Sequence, residues 1–278
     1  MRVRELSVAV AASSSPFVVA ALAIAAAVAC SSSSDGAAPL TPGVEAGGDA
    51  AQAEAATDAA PAGPTQKGRI IDAVGKDGVL GATVTVGGKS VTTNDDGTYA
   101  IAITKDVPTT MSVTAPDHYK LNEQEWIVKS DLFDRADTSL LSTSTAGLLA
   151  SFLPARDPAK GLVAVRIYPL PPCDSEAGAT IAIAPAGVAQ VTYFAGGLPS
   201  KTATVTSMGE SFSGILTNVE PGVPITIVVH SPSCEQVAFP IDYGGVTLTG
   251  VQKAETGDVV SYMRVFLGPK NVVDSGAD

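Results

Sequence analysis

The chain has 278 residues, with 17 Lys and Arg against 28 Asp and Glu and a formal net charge of −11. That balance, without any cluster of Lys and Arg, argues against nucleic-acid binding, because phosphate contacts need grouped cations. Two distant histidines and three cysteines do not make a zinc ligand set.

The N-terminus carries the first signal. Arg2 and Arg4 give a positive start, and Phe17–Ala29 is an uncharged apolar run of 13 residues. That is the length of a signal-peptide core and falls short of the ~20 residues that span a bilayer. The run ends in Ala27-Val28-Ala29-Cys30, which resembles the bacterial lipobox, with Ala27 where leucine is more usual. The resemblance implies a signal peptide over 1–29, cleavage before Cys30 and lipidation of that cysteine. With Ser31 rather than aspartate next, it also implies outer-membrane delivery, facing the periplasm or the cell surface. An ordinary secretory signal with a chance cysteine is the alternative. One acyl chain holds a protein weakly, and three chains, as bacterial lipoproteins carry, suffice. Loss of Arg2, Arg4 and Glu5 with the signal leaves the mature chain at −12.

Residues 30–66 read as a lipidated, disordered linker. From 31 to 66 the chain is rich in Ala, Gly, Ser and Pro, with five acids, no base and no aromatic. Such a stretch buries too little apolar surface to offset its ordering entropy. As a flexible coil it spans roughly 35 Å.

From Gly68 the texture turns to β. Gly68–Val74 is a short apolar strand followed by the turn signal Gly75-Lys76-Asp77-Gly78. Ala82, Val84 and Val86 alternate with Thr83 and Thr85, a period of two. Gly87-Gly88 marks a hairpin, and Ser90–Thr93 returns. Asn94–Gly97 is a turn, Tyr99, Ile101 and Ile103 share a face, and Thr110–Pro116 and Glu125–Lys129 complete the set. Short strands at this spacing predict a β-sandwich.

The pattern Gly68-x-Ile70, Gly81-Ala82-x-Val84-x-Val86 and Thr93-x-x-x-Gly97-x-Tyr99-x-Ile101 resembles the carboxypeptidase regulatory-like domain. The resemblance covers 67–141 and implies a transthyretin-like (prealbumin-like) sandwich. The second half echoes the first: Gly161–Leu170 parallels Gly68–Val74, Gly178–Pro185 parallels Gly81–Gly88, and Met208–Pro232 parallels Asp95–Pro116. A diverged second sandwich is expected over 159–268, with Gln190–Phe194 and Val259–Leu267 as extra strands. A chance likeness among Val/Thr-rich strands is the alternative. The expected class is therefore all-β, with tandem antiparallel sandwiches. Residues 142–158 form a connector, with a short helix capped by Ser142 or Thr143 and packed by its apolar residues. Residues 269–278 form a polar tail.

Once Cys30 is assigned to lipid, Cys173 and Cys234 remain as an even pair in an oxidising compartment, and a disulfide is expected. Closing a loop of about 60 residues contributes about 4 kcal/mol in the chain-entropy model. Two buried free thiols are the alternative.

The resembling domain accompanies zinc carboxypeptidases, but neither His118 nor His230 sits in a His-x-x-Glu pair. Both read as solvated loop residues. Gly209–Gly214 approaches a nucleophile elbow but places Ser213 where glycine is needed, ahead of a strand rather than a helix. Gly88-Lys89-Ser90 ends like a P-loop and reads as a hairpin turn. Asn94-Asp95-Asp96 and Asp131/Asp134/Asp137 lack the EF-hand pattern and read as solvated turns, with calcium the alternative. Tyr119, Trp126, Tyr193 and Phe194 are candidate platform aromatics. Trp126 reads as core, and Tyr193 and Phe194 must face opposite ways if extended. No catalytic residue, metal site or cofactor site is expected. The reading is a non-catalytic binding or structural protein of the cell envelope, with the membrane as one partner and an envelope protein or polysaccharide as another. A carbohydrate-binding protein and an unrecognised enzyme are the alternatives.

Overall fold

The computed structural model describes residues 64–270; the signal segment, Cys30, the linker to residue 63 and the tail from residue 271 lie outside the described residues. The first strand, Thr65–Asp72, starts inside the stretch read as linker. That reading is corrected at its C-terminal end. Gln66 is fully buried and its amide donates to Tyr99 Oη at 2.7 Å. Local polarity fits a coil, but antiparallel pairing with Thr98–Ala102 recruits Thr65 and Gln66 into a sheet.

Among the described residues the protein is all-β apart from one short helix, and its sheets pack as sandwiches. Each half pairs its strands in the same way. In the first, Thr65–Asp72 pairs with Thr98–Ala102, and Thr83–Val86 pairs with Met111–Thr114, both antiparallel. In the second, Gly161–Pro169 pairs with Gly214–Val219, and Thr180–Ala184 pairs with Pro224–His230, again antiparallel. The alternation read from sequence is visible in burial: Val84 and Val86 are buried while Thr83 and Thr85 are half-buried. Gly87 and Gly88 both have positive φ, as a two-residue hairpin turn requires.

A single hydrogen-bonded knot occurs once in each half. Thr93 Oγ1 donates to Val79 O (2.6 Å) and accepts from Ala82 N–H (2.9 Å). Its backbone carbonyl accepts from Gly81 N–H, and its own N–H donates to Ala82 O. Thr206 does the same with Glu176 O, Ala179 N–H, Gly178 N–H and Ala179 O. Gly81 and Gly178 stand at φ +71° and +79°, which explains why glycine opens both strands. The likeness of Gly81-Ala82 to Gly178-Ala179 thus extends from sequence to hydrogen bonding. Thr93 is buried, so Thr93→Val leaves a carbonyl and an amide without their partner. An expected loss of about 1–3 kcal/mol is checked by denaturant unfolding; an unchanged midpoint would show that the knot contributes nothing.

The two halves share one sheet. Its ten strands run from Leu198–Pro199 at one end to Lys89–Thr92 at the other. At the centre lies Val259–Pro269, the last strand of the described chain. It pairs in parallel with Gly161–Pro169 on one side and with Lys120–Glu123 on the other. Its alternate residues feed different cores. Met263, Val265 and Leu267 pack with Val163, Ile181 and Ile227 of the second half. Phe266 is buried with Val84, Ile101 and Trp126 of the first, where Val260 and Tyr262 also pack. The covering layers therefore lie on opposite faces of the shared sheet. A further crossing joins the halves: Val246–Leu248 pairs with Trp126–Val128.

The helix Thr143–Ala150 is capped by Ser142, whose side chain accepts from Thr145 N–H. Its apolar residues do not pack as expected of a connector. Only Ala146 of the helix is buried, and Leu148 is 73% exposed. The packing falls instead to Leu153, which joins Leu162, Ala164, Phe194 and Ile215 in a small third cluster.

Candidate functional site

The shared sheet brings together an unusual set of side chains where the first-half layer ends. Three consecutive cross-strand rows are fixed by register. Tyr262 lies between Ala164 and Glu123, Arg264 beside Arg166, and Phe266 beside Tyr168. Glu123 is buried, its side chain only 3% exposed, and takes two guanidiniums, Arg135 and Arg264. Arg135 is itself buried and lies over the rings of Trp126 (5.8 Å) and Phe133 (5.9 Å). Burial opposes ionisation of Glu123, but Arg135 and then Arg264 outweigh it and hold the carboxyl below its ordinary value. Burial works against the Arg264 charge too, and Glu123 chiefly reverses that. The Tyr262 phenol is pushed up, first by burial and then by its neighbour Tyr168.

Around this ion triad runs a row of rings. Tyr168 contacts Tyr243 (5.5 Å) and stacks on Phe266 (5.6 Å, 24°), and its hydroxyl lies 3.3 Å from that of Tyr262. Tyr262 meets Phe212, which meets Phe194. Arg166 lies over Tyr168 at 5.6 Å.

A second feature is an open cleft of about 660 Å³ at the loop end of the first half, lined by Asp72, Asp117, His118 and Ser142 among others. His118 Nδ1 lies 2.7 Å from Pro116 O, and Nε2 is 3.5 Å from the Asp72 carboxylate. The Gly75 N–H, opposed by burial and aided by the Val74 N–H and His118, holds the Asp72 carboxyl below its ordinary value. Ser142 Oγ is bonded to Thr145. The hydroxyl, imidazole and carboxylate share a cleft but do not form the hydrogen-bonded line of a nucleophile and its base.

The residues singled out in the sequence fall as follows. Cys173 and Cys234 are joined in a disulfide, with Cα atoms 5.9 Å apart and both buried in the second core. Cys30 lies outside the described residues. The solvated-loop reading of His118 is corrected, since its side chain is only 15% exposed and wedged between Pro116 and Asp72. Sequence reasoning missed this because Asp72, at the end of the first strand, is far from His118 along the chain. His230 ends a strand and is exposed. Glu210, in the elbow-like segment, caps Gly196 and Gly197 N–H, and Ser213 Oγ accepts from Ile167 N–H. Asp96 accepts from Thr98, Asp131 pairs with Lys105 and Asp137 with Arg69. Among the described residues no group of three or more His, Cys, Asp and Glu is placed to hold a metal.

The four candidate platform aromatics do not form a platform. Trp126, Tyr193 and Phe194 are buried, and Tyr119 is partly buried beneath Arg156. Tyr193 and Phe194 do face opposite ways, into the second and third clusters. The ring row and its arginines were missed, because Tyr168, Tyr243 and Tyr262 are scattered over three strands.

No protein-family model matches the sequence, and no curated protein matches it. Solved structures give weak similarities. A TIE protein of Bacillus anthracis is 10% identical, with a TM-score of 0.25, covering 74% of this chain and 34% of that one. This chain thus spans about a third of that protein's length. The minor pilin GBS52 of Streptococcus agalactiae is 9% identical, with a TM-score of 0.23, covering 77% and 100%. The shaft pilin SpaA of Lactobacillus rhamnosus GG is 10% identical, with a TM-score of 0.21, covering 76% and 98%.

Proposed function

We propose that the protein is an exported, lipid-anchored structural and binding module of the cell envelope, without catalytic activity of its own. The observation that supports it best is the shared sheet. A single strand, Val259–Pro269, hydrogen-bonds to both halves and supplies both cores, and the Cys173–Cys234 bridge ties the second half further. Such a body resists bending between its halves, as a load-bearing or ligand-presenting element must. Among the described residues, His118, Ser142, Glu210 and Glu123 are engaged in a turn, a helix cap, a loop cap and an ion pair.

The anchor part rests on Arg2, Arg4, the 13-residue apolar run and Ala27-Val28-Ala29-Cys30. The signal core is too short to span a bilayer. Among the described residues no helix is long and apolar enough to cross a membrane. Cys30→Ala is expected to abolish incorporation of labelled palmitate and to leave the protein in the soluble envelope fraction. A variant that still takes up label would refute lipidation at this residue. The structural reading is tested separately, by pull-down with the full-length protein from envelope extracts; capture of no envelope component would count against it.

A further inference from the structure

The open cleft of about 660 Å³ at the loop end of the first half is formed by three stretches of chain: the turn after Asp72, the loop around His118 and the start of the helix at Ser142. Thr65–Asp72 runs for eight residues, roughly 25 Å as a strand. The N-terminal segment joins at Thr65 and the cleft opens at Asp72, so the cleft lies at the pole away from that junction. Its charge is one-sided. Asp72, Asp77 and Asp117 line it, and no Lys or Arg does. Asp72 is already engaged, by the Val74 and Gly75 N–H groups and by His118. Asp77 and Asp117 are exposed, and neither meets a cation within 4.0 Å among the described residues. Lys76, in the same turn, donates instead to Ala73 O.

The rim adds apolar surface. Leu80 lines the cleft and is 61% exposed. Val74, in the turn held by Asp72, is exposed as well. Ser144 lines the cleft, and the exposed Leu148 lies one helical turn further along the same face. Charge and apolar surface together select the occupant. A bare metal ion does not fit, because among the described residues no group of three or more His, Cys, Asp and Glu is placed to hold one. A sugar ring finds no Trp, Tyr or Phe in the lining. A peptide that carries Lys or Arg beside an aliphatic side chain meets both features, with its cation toward Asp77 and Asp117 and its aliphatic group against Leu80.

We infer that this cleft docks a protein partner through a segment in which Lys or Arg alternates with apolar residues. This deepens the reading of a binding module and rests on it. The test titrates the full-length protein in neutral detergent with a blocked hexapeptide of alternating Arg and Val, with empty micelles as blank. The comparison peptides carry Glu in place of Arg, or Ser in place of Val. The Arg–Val peptide is expected to bind in preference to both. Asp77→Asn with Asp117→Asn weakens binding about fivefold, as loss of two partly exposed ion pairs implies. Both positions are exposed, and Asp117 has φ +56°, a conformation that asparagine adopts readily, so the pair keeps its fold. Leu80→Ser weakens binding severalfold and serves as an independent variant. Asp95→Asn with Asp174→Asn, at exposed positions outside the cleft, leaves binding unchanged. Absence of Arg–Val binding, or equal binding by the folded Asp77/Asp117 variant, would overturn the site. So would an equal loss in the Asp95/Asp174 variant, which would reduce the effect to diffuse charge attraction. Equal affinity for the Arg–Ser peptide, or unchanged binding by Leu80→Ser, would overturn the mixed basic and apolar partner. None of these failures touches palmitate labelling or capture of other envelope components, so the broader reading is judged apart.

Discussion

Glu123→Gln is expected to destabilise the protein by about 3–5 kcal/mol, the cost of removing one partner from a buried ion group. The substitution is nearly isosteric, so the loss is electrostatic. Two guanidiniums, Arg135 with a side chain 5% exposed and Arg264 at 18%, would remain charged with no counter-ion. For a body of this size the melting temperature falls by roughly 10 °C. Glu123 also has a pH signature. Its folded pKa is depressed from the ordinary 4.5. The unfolded state therefore binds the proton more readily, and stability rises with pH through that range. The stabilisation is fully present above about 4.5 and is lost as pH falls through the lower folded value. In Glu123→Gln that part of the acid limb disappears. Denaturant midpoints from pH 3 to pH 7 check both statements. A loss below about 1 kcal/mol at pH 7 would mean that water or rearrangement rescues the arginines.

Removing the disulfide ranks beside it. Cys173→Ser with Cys234→Ser, or reduction under native conditions, is expected to cost about 4 kcal/mol in the chain-entropy model for a loop with a sequence separation of 61. The bridge closes the second half around its inserted strands. Cys173 follows Gly161–Pro169, and Cys234 opens the strand that pairs with Val259–Pro269. Both sulfurs are buried among Val229, Ile167 and Leu267, so hydroxyls there would add a burial cost. The comparison of oxidised and reduced protein in the same denaturant series measures it. A shift under about 1 kcal/mol would imply that the reduced unfolded chain already keeps the two ends close.

How legible these features were depends on range along the chain. Alternation in Thr83–Val86, the Gly87-Gly88 turn and the Ser142 cap rest on neighbouring residues, and the sequence displays them directly. So does the Gly-Ala pair that opens a strand in each half, because the knot with Thr93 or Thr206 needs a glycine at positive φ. The cysteine pairing followed from number and compartment. Glu123 was not legible. Lys120-Leu121-Asn122-Glu123-Gln124-Glu125 reads as a polar surface, and nothing nearby announces that Arg135 and Arg264, 12 and 141 residues further on, close over it. Arg166 was hidden for the same reason, in a strand whose other residues are mostly apolar. The shared sheet lay beyond reach as well. Val259–Leu267 was readable as a strand, but its two neighbours, Lys120–Glu123 and Gly161–Pro169, are set by packing rather than by adjacency in sequence.

The position of Val259–Pro269 also sets an order of events. A chain emerging from its N-terminus can form hairpins such as Thr83–Val86 with Lys89–Thr92 at once. The central ladder waits for nearly the last described residues, which must insert between strands that began 139 and 98 positions earlier. Closing such long loops is slow, and parallel pairing adds to the delay. Until then Lys120–Glu123 and Gly161–Pro169 each present a bare edge. That interval exposes the chain to strand-to-strand aggregation at both edges.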